Sequence, residues 1–197
     1  MILVAVAATA LPVSAALAGC GTSATPPPSS SATIAQAHNQ ADVTFAQAMI
    51  PHHAQAVAMS AMAAQRAASS QVKDLAARIQ AAQQPEIDQM IGWLRAWNAS
   101  VPSTNSPMGG MGQMDHGGSG AVHGMMSKDQ MQQLGQASGD AFDRMFLQMM
   151  ITRHQGAVTM SEAELTDGQY PEARQLAQRI IDAQQREITE METLLGG

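Results

Sequence analysis

Apolar residues recur every three to four positions over most of the chain beyond residue 34, the spacing of helices that each bury one face. The first such stretch starts near Ile34 to Asp42 and runs to about Ala68, where Ser69-Ser70 reads as a turn and N-cap. A second runs from about Gln71 to Asn98. Residues 99–126 lose the pattern, are rich in Gly, Ser, Pro and Met, and read as a loop. Ser127-Lys128-Asp129-Gln130 has the form of a capping box and opens a third helical stretch to about Leu165, with an interruption expected near Ser138-Gly139. Thr166-Asp167-Gly168 ends it, and Pro171 opens a fourth helix reaching Leu195. Pro51 and Pro85 fall inside helical patterns, where a missing amide donor predicts a kink or a restart.

The pattern repeats. Asp42-x-x-Phe45-x-x-x-Met49-Ile50-x-x-His53 returns as Asp143-x-x-Phe146-x-x-x-Met150-Ile151-x-x-His154. Ala56-Val57-x-Met59-Ser60 returns as Ala157-Val158-x-Met160-Ser161, and Gln83-Gln84-x-Glu86-Ile87-x-x-Met90 as Gln184-Gln185-x-Glu187-Ile188-x-x-Met191. Every pair stands 101 positions apart, without a gap. Each half is therefore one helical hairpin. A lone hairpin cannot bury both faces, but two stacked hairpins can, so the expected fold is all-α: a four-helix bundle with a pseudo-two-fold axis. The order of helices around that bundle is left open.

Composition sharpens this. The 197 residues are 45% hydrophobic but only 3% aromatic, with 16 Met; helix-favouring Ala, Gln and Met supply the bulk. The net charge of −6 is spread along the helices in both signs, and no basic stripe exists to meet nucleic acid. The single cysteine, Cys20, excludes an internal disulfide and a CxxC metal site. It follows an apolar run from Ile2 to Ala18, and Leu17-Ala18-Gly19-Cys20 resembles a bacterial lipobox, which implies cleavage before Cys20 and lipidation of that residue. The usual basic opening of such a signal is missing, since no Lys or Arg precedes Cys20. An uncleaved membrane helix is the other reading, and the run is short for that and holds Pro12. The expected organisation is a signal peptide over 1–19, a lipidated Cys and flexible tether over 20–37, the first hairpin over 38–98, a Met/Gly/His-rich loop over 99–127 and the second hairpin over 128–197. The expected location is the extracytoplasmic face of a membrane.

At 100° per residue, Phe45, Met49, His52, Ala56, Met59 and Ala63 share one stripe, with His53 on its flank. Phe146, Met150, Ala157 and Met160 repeat it with His154 on the flank, but Arg153 stands in place of His52. On the partner helices Gln83, Glu86 and Met90 recur as Gln184, Glu187 and Met191 on what should be an inward face. A buried carboxylate needs a cation, a His⁺ or a metal beside it. Met49, His53, Glu86 and Met90, and their copies Met150, His154, Glu187 and Met191, form the candidate constellation. Thioether with imidazole suits Cu(I) or Ag(I) better than zinc. Met108, Met111, Met114, His116, His123, Met125 and Met126 in the central loop have no core to fill and could capture the same ions. Against this stands the plainer view that Met is a common gap-filler in helical cores, and that duplicated residues can reflect duplicated packing.

These motifs resemble the domain-of-unknown-function family 305, a ferritin-like four-helix family of bacterial envelopes. The likeness rests on Asp42-x-x-Phe45-x-x-x-Met49-Ile50-Pro51-His52-His53, on Met150-Ile151-Thr152-Arg153-His154-Gln155-Gly156-Ala157 and on the two Gln-Gln-x-Glu-Ile-x-x-Met segments, and it spans roughly residues 38–197. It implies binding of Cu(I) and Ag(I) through Met and His in copper tolerance, here through Met49, His52, His53, Met150 and His154. Arg153 departs from the pattern, where the family often has a second His. The expected function is a metal-binding protein without turnover, with a copper-handling protein or a second copy as a possible partner. Two alternatives stand beside it: a ferritin-like di-metal oxidase, which lacks the Glu-x-x-His motif such sites need, and a structural or partner-binding bundle.

Overall fold

The computed structural model describes residues 37–104 and 124–196. Helices α1 (Gln40–Arg66), α2 (Ser70–Ala96), α3 (Lys128–Gln136), α4 (Gly139–Asp167) and α5 (Pro171–Gly196) account for nearly all of them. The fold is all-α, and its four long helices are the two expected hairpins, α1–α2 and α4–α5. The third stretch is divided at Ser138-Gly139 into a short α3 and a long α4, Gly139 taking a φ of 63° that favours glycine. Local chemistry sets the boundaries. Asn39 and Asp42 close a capping box on α1, Ser69 caps α2 through the Val72 amide, and Ser127 with Gln130 boxes α3. Pro171 takes the first position of α5, where its missing donor costs nothing. Neither Pro51 nor Pro85 restarts its helix; α1 and α2 each run through.

The hairpins meet mainly through α1 and α4, with α3 laid against both. Two reciprocal clasps set their register. Asp42, at the start of α1, accepts the amides of Gln169 and Tyr170 at 3.0 and 2.9 Å in the α4–α5 turn. Its repeat counterpart Asp143, at the start of α4, accepts the amides of Ala68 and Ser69 at 3.2 and 2.8 Å in the α1–α2 turn. Each hairpin thus caps the turn of the other, and α1 and α4 run antiparallel.

One clasp carries an extra acid. Glu164 is buried beside Asp42, at the position held by Ala63 in the first half, and burial and then the Asp42 carboxylate push it up to about 8. Gly168 makes room for it, since an added Cβ would collide with the Glu164 carboxyl and with its backbone oxygen. Folded protein keeps this proton up to about pH 8, whereas the unfolded chain releases it near 4.5. Glu164 therefore makes stability fall as pH rises between those values, with the whole loss incurred above about 8. Denaturant titrations across that range should show a flatter pH profile for Glu164→Gln than for the parent. Identical slopes would contradict the assignment.

The core falls into two apolar blocks. One holds Met59, Leu75, Ile79, Phe142, Phe146, Met150 and Met191; the other holds Phe45, Met49, Met90, Leu94, Met160, Leu176 and Ile180. The expectation that loop methionines have no core to fill fails at Met126, which is 5% exposed and belongs to the first block. The cause is the return of the chain from the loop across α1 and α4, held by Gln55, whose side chain accepts from the Met126 amide at 2.8 Å and donates to its carbonyl at 2.9 Å.

Candidate metal site

A polar layer separates the two apolar blocks at mid-bundle. His52, His53 and Gln55 interrupt the apolar face of α1, and Arg153 and His154 that of α4; all are buried. Gln83 and Glu86 on α2 and Gln184 and Glu187 on α5 occupy the same level, between residues of one block and residues of the other.

Two His–Glu pairs form within it, at equivalent places in the two hairpins. His53 Nε2 lies 2.8 Å from Glu86 Oε2, and His154 Nε2 lies 2.6 Å from Glu187 Oε2. The imidazoles are inside, while the carboxylates are 22% and 19% exposed and keep part of their hydration. A carboxylate at Nε2 favours the Nε2–H tautomer, which puts the ring's lone pair on Nδ1. The Nδ1 of His53 is buried and has no hydrogen-bond partner among the described residues. Burial holds His154 below the ordinary histidine range; Glu187 opposes this, and the charges of Arg153 and His53 reinforce it. A neutral imidazole is the form that binds metal. His52 stacks obliquely on its neighbour, with ring centroids 6.3 Å apart.

Arg153 breaks the symmetry. It is fully buried, and burial lowers it to about 9, so it stays charged at neutral pH. One guanidinium nitrogen donates to Gln55 Oε1 and approaches Met125 Sδ at 3.5 Å; Nε and the other terminal nitrogen have no hydrogen-bond partner among the described residues. Gly124, at φ 75°, brings the segment close, since a Cβ there would collide with the Thr152 carbonyl. Gln83 Oε1 and Gln184 Oε1 are also buried without a hydrogen-bond partner among the described residues. A layer with this many unmet polar atoms in an otherwise packed bundle fits an added ligand.

The thioethers flank the layer. Met49 and Met90 are fully buried in one block together with Met160, and Met150 and Met191 are fully buried in the other together with Met59. They pack there as hydrocarbon. Of the loop residues, Met125 and Met126 reach the layer; Met108, Met111, Met114, His116 and His123, like Cys20, lie outside the described residues. Among the described residues no three His, Cys, Asp or Glu side chains group to hold a metal ion. A metal held in the layer would need sulfur to complete its shell. Sequence reasoning missed Gln55 and the buried state of Arg153. Neither recurs in the other repeat, so duplication gave no signal for them.

Known proteins share this fold. The model of the family described as domain of unknown function DUF305 matches residues 42–195. The fold is similar to that of a DUF305 protein of Streptomyces coelicolor, at 32% identity and a TM-score of 0.68, covering 79% of this chain and 92% of that one. It is similar to CopM in its Cu(II)-bound form, at 35% identity and 0.65, covering 79% and 95%. The Cu(I)-bound form of CopM matches at 31% and 0.62, covering 78% and 94%, and an Ag-bound form is also similar. No curated protein matches the chain by sequence.

Proposed function

The chain belongs to the DUF305 family, and from that premise we propose that it binds Cu(I) or Ag(I) as cargo and sequesters or chaperones it in the cell envelope, without turnover. The observation that carries the reading is the duplicated His–Glu pair in a buried polar layer bordered by methionines. Glu86 and Glu187 hold their histidines in one tautomer. His53 and His154 offer imidazole nitrogen, and Met49, Met90, Met150 and Met191 offer sulfur by turning from the adjoining core, a movement that Met's three rotatable bonds allow. His52, Met59 and Met160 are further donors in reach of the same layer by their place on α1 and α4, and Met108, Met111, Met114, His116 and His123 collect ions for it. The copper- and silver-bound forms of CopM support the choice of ion. An envelope location with a lipid anchor at Cys20 rests on the lipobox-like Leu17-Ala18-Gly19-Cys20.

Soft and borderline ions should separate cleanly. The form lacking residues 1–20 should retain Cu(I) against a chromogenic Cu(I) chelator and release it to excess Ag(I), while Zn(II) at equal concentration leaves the bound copper in place. Failure to compete with the chelator at all would favour a bundle that serves only structure or partner binding.

A further inference from the structure

Arg153 is fully buried at mid-bundle, and its hydrogen-bond partners carry no charge. One terminal nitrogen, Nη1, donates to Gln55 Oε1 and lies 3.5 Å from Met125 Sδ. Nε and Nη2 are closed to solvent and have no hydrogen-bond partner among the described residues. These two nitrogens form one edge of the planar guanidinium, and their N–H groups point the same way. Such an edge is the part of an arginine that receives the two oxygens of a carboxylate, or one ion shared between both donors.

No carboxylate among the described residues fills that place. The two acids of the layer are taken, Glu86 by His53 at 2.8 Å and Glu187 by His154 at 2.6 Å. Burial moves Arg153 from its ordinary range, with no offset from a neighbouring acid, and leaves the guanidinium charged at neutral pH. A buried charge without a counter-charge is costly to any core. The duplication shows that the fold does not demand it, because the equivalent position in the first half is His52. A metal ion cannot supply what is missing, since a cation meets repulsion and N–H donors at this edge. Water would satisfy the donors and leave the charge. The nitrogens lie in a closed, packed layer, which excludes a bulky anion, while the partly exposed Glu86 and Glu187 bring solvent to within a side chain of it.

We propose that the Nε–Nη2 edge of Arg153 holds a small monovalent anion, of the size of chloride, inside the polar layer. Both N–H groups donate to the one ion, and its charge offsets the guanidinium. It also offsets the field that Arg153 exerts on His154. The site does not rest on the copper reading and is tested without metal.

The test is a thermal melt of the metal-free protein in chloride or bromide against gluconate, each at about 0.1 M so that screening is the same. The halides should raise the melting temperature of the parent by about 3 °C or more, and should leave that of Arg153→Gln unchanged to within about 1 °C. Anomalous diffraction at the bromine edge, on crystals of the parent soaked in bromide, should place an ion within hydrogen-bond distance of both Nε and Nη2. That second measurement needs no variant, so it decides the matter even if Arg153→Gln fails to fold. An equal halide effect in parent and folded Arg153→Gln, or crystals in which bromide is absent from this edge, would overturn the proposal.

Discussion

Asp143→Ala should unfold at a temperature lower by about 5–10 °C, and Asp42→Ala by at least as much, for a loss of about 2–3 kcal/mol each. Neither side chain touches the candidate metal layer. Each accepts two amides from the turn of the opposite hairpin, at 3.2 and 2.8 Å for Asp143 and at 3.0 and 2.9 Å for Asp42, which also accepts the Asn39 amide at 2.5 Å. Truncation leaves those donors without a partner where protein covers them, and that desolvation cost exceeds the average worth of a hydrogen bond. The two sites lie at opposite ends of the α1–α4 pair, so the double variant should show nearly additive losses. Asp42 also predicts a pH dependence. Burial alone would raise it, but the amides of Asn39, Tyr170 and Gln169, with the Glu164 carboxyl, outweigh burial and hold it below the ordinary value of 3.8. Its contribution is present above that value and is lost as pH falls through the lower folded one. Thermal melts at pH 7 and at about pH 3 measure both effects. Asp42→Ala should lose less to acid than the parent, and parallel losses would contradict the clasp.

His53→Ala should weaken Cu(I) binding by about a hundred-fold or more, and Glu86→Gln by about ten- to a hundred-fold, because a carboxylate that orients a ligating imidazole is nearly as important as the ligand. The effect runs through Nδ1 of His53, which is buried and has no hydrogen-bond partner among the described residues, while Nε2 is held by Glu86. His154→Ala should cost less. The fixed charge of Arg153 stands beside that histidine and opposes any cation there, and Arg153 occupies the position of His52. Competition against a Cu(I) chelator measures all three. Equal losses at His53 and His154 would mean that Arg153 has no electrostatic influence, and no loss at either would remove the histidines from the site. Because Glu86 is partly exposed, Glu86→Gln should remain folded, with a small shift in melting temperature.

The 101-residue offset made the hairpins legible, because helical periodicity and exact recurrence are properties of the chain itself. Periodicity also placed His53 and His154 on the flank of the inward stripe and Glu86 and Glu187 on the partner helices, and the structure pairs them at 2.8 and 2.6 Å. The clasps were not legible. Asp42 and Asp143 read only as the opening residues of their motifs, and their partners are backbone amides of a distant turn, which leave no mark in sequence. Arg153 read only as a missing histidine. Its burial depends on Gln55 and on the incoming Met125 and Met126, none of which the repeat pattern connects to it. Met126 read as loop because its neighbours lack periodicity, yet it fills core where the chain crosses α1.

The most direct measurement is copper K-edge absorption on Cu(I)-loaded protein in which Met108, Met111 and Met114 are replaced by Leu, so that those loop thioethers cannot answer for the bundle. Cu(I) held in the duplicated polar layer should show a shell mixing sulfur with imidazole nitrogen, and His53→Ala combined with His154→Ala should remove the nitrogen component. Copper that washes out of the loop variant, or a shell of oxygen and nitrogen without sulfur, would contradict a site inside the bundle.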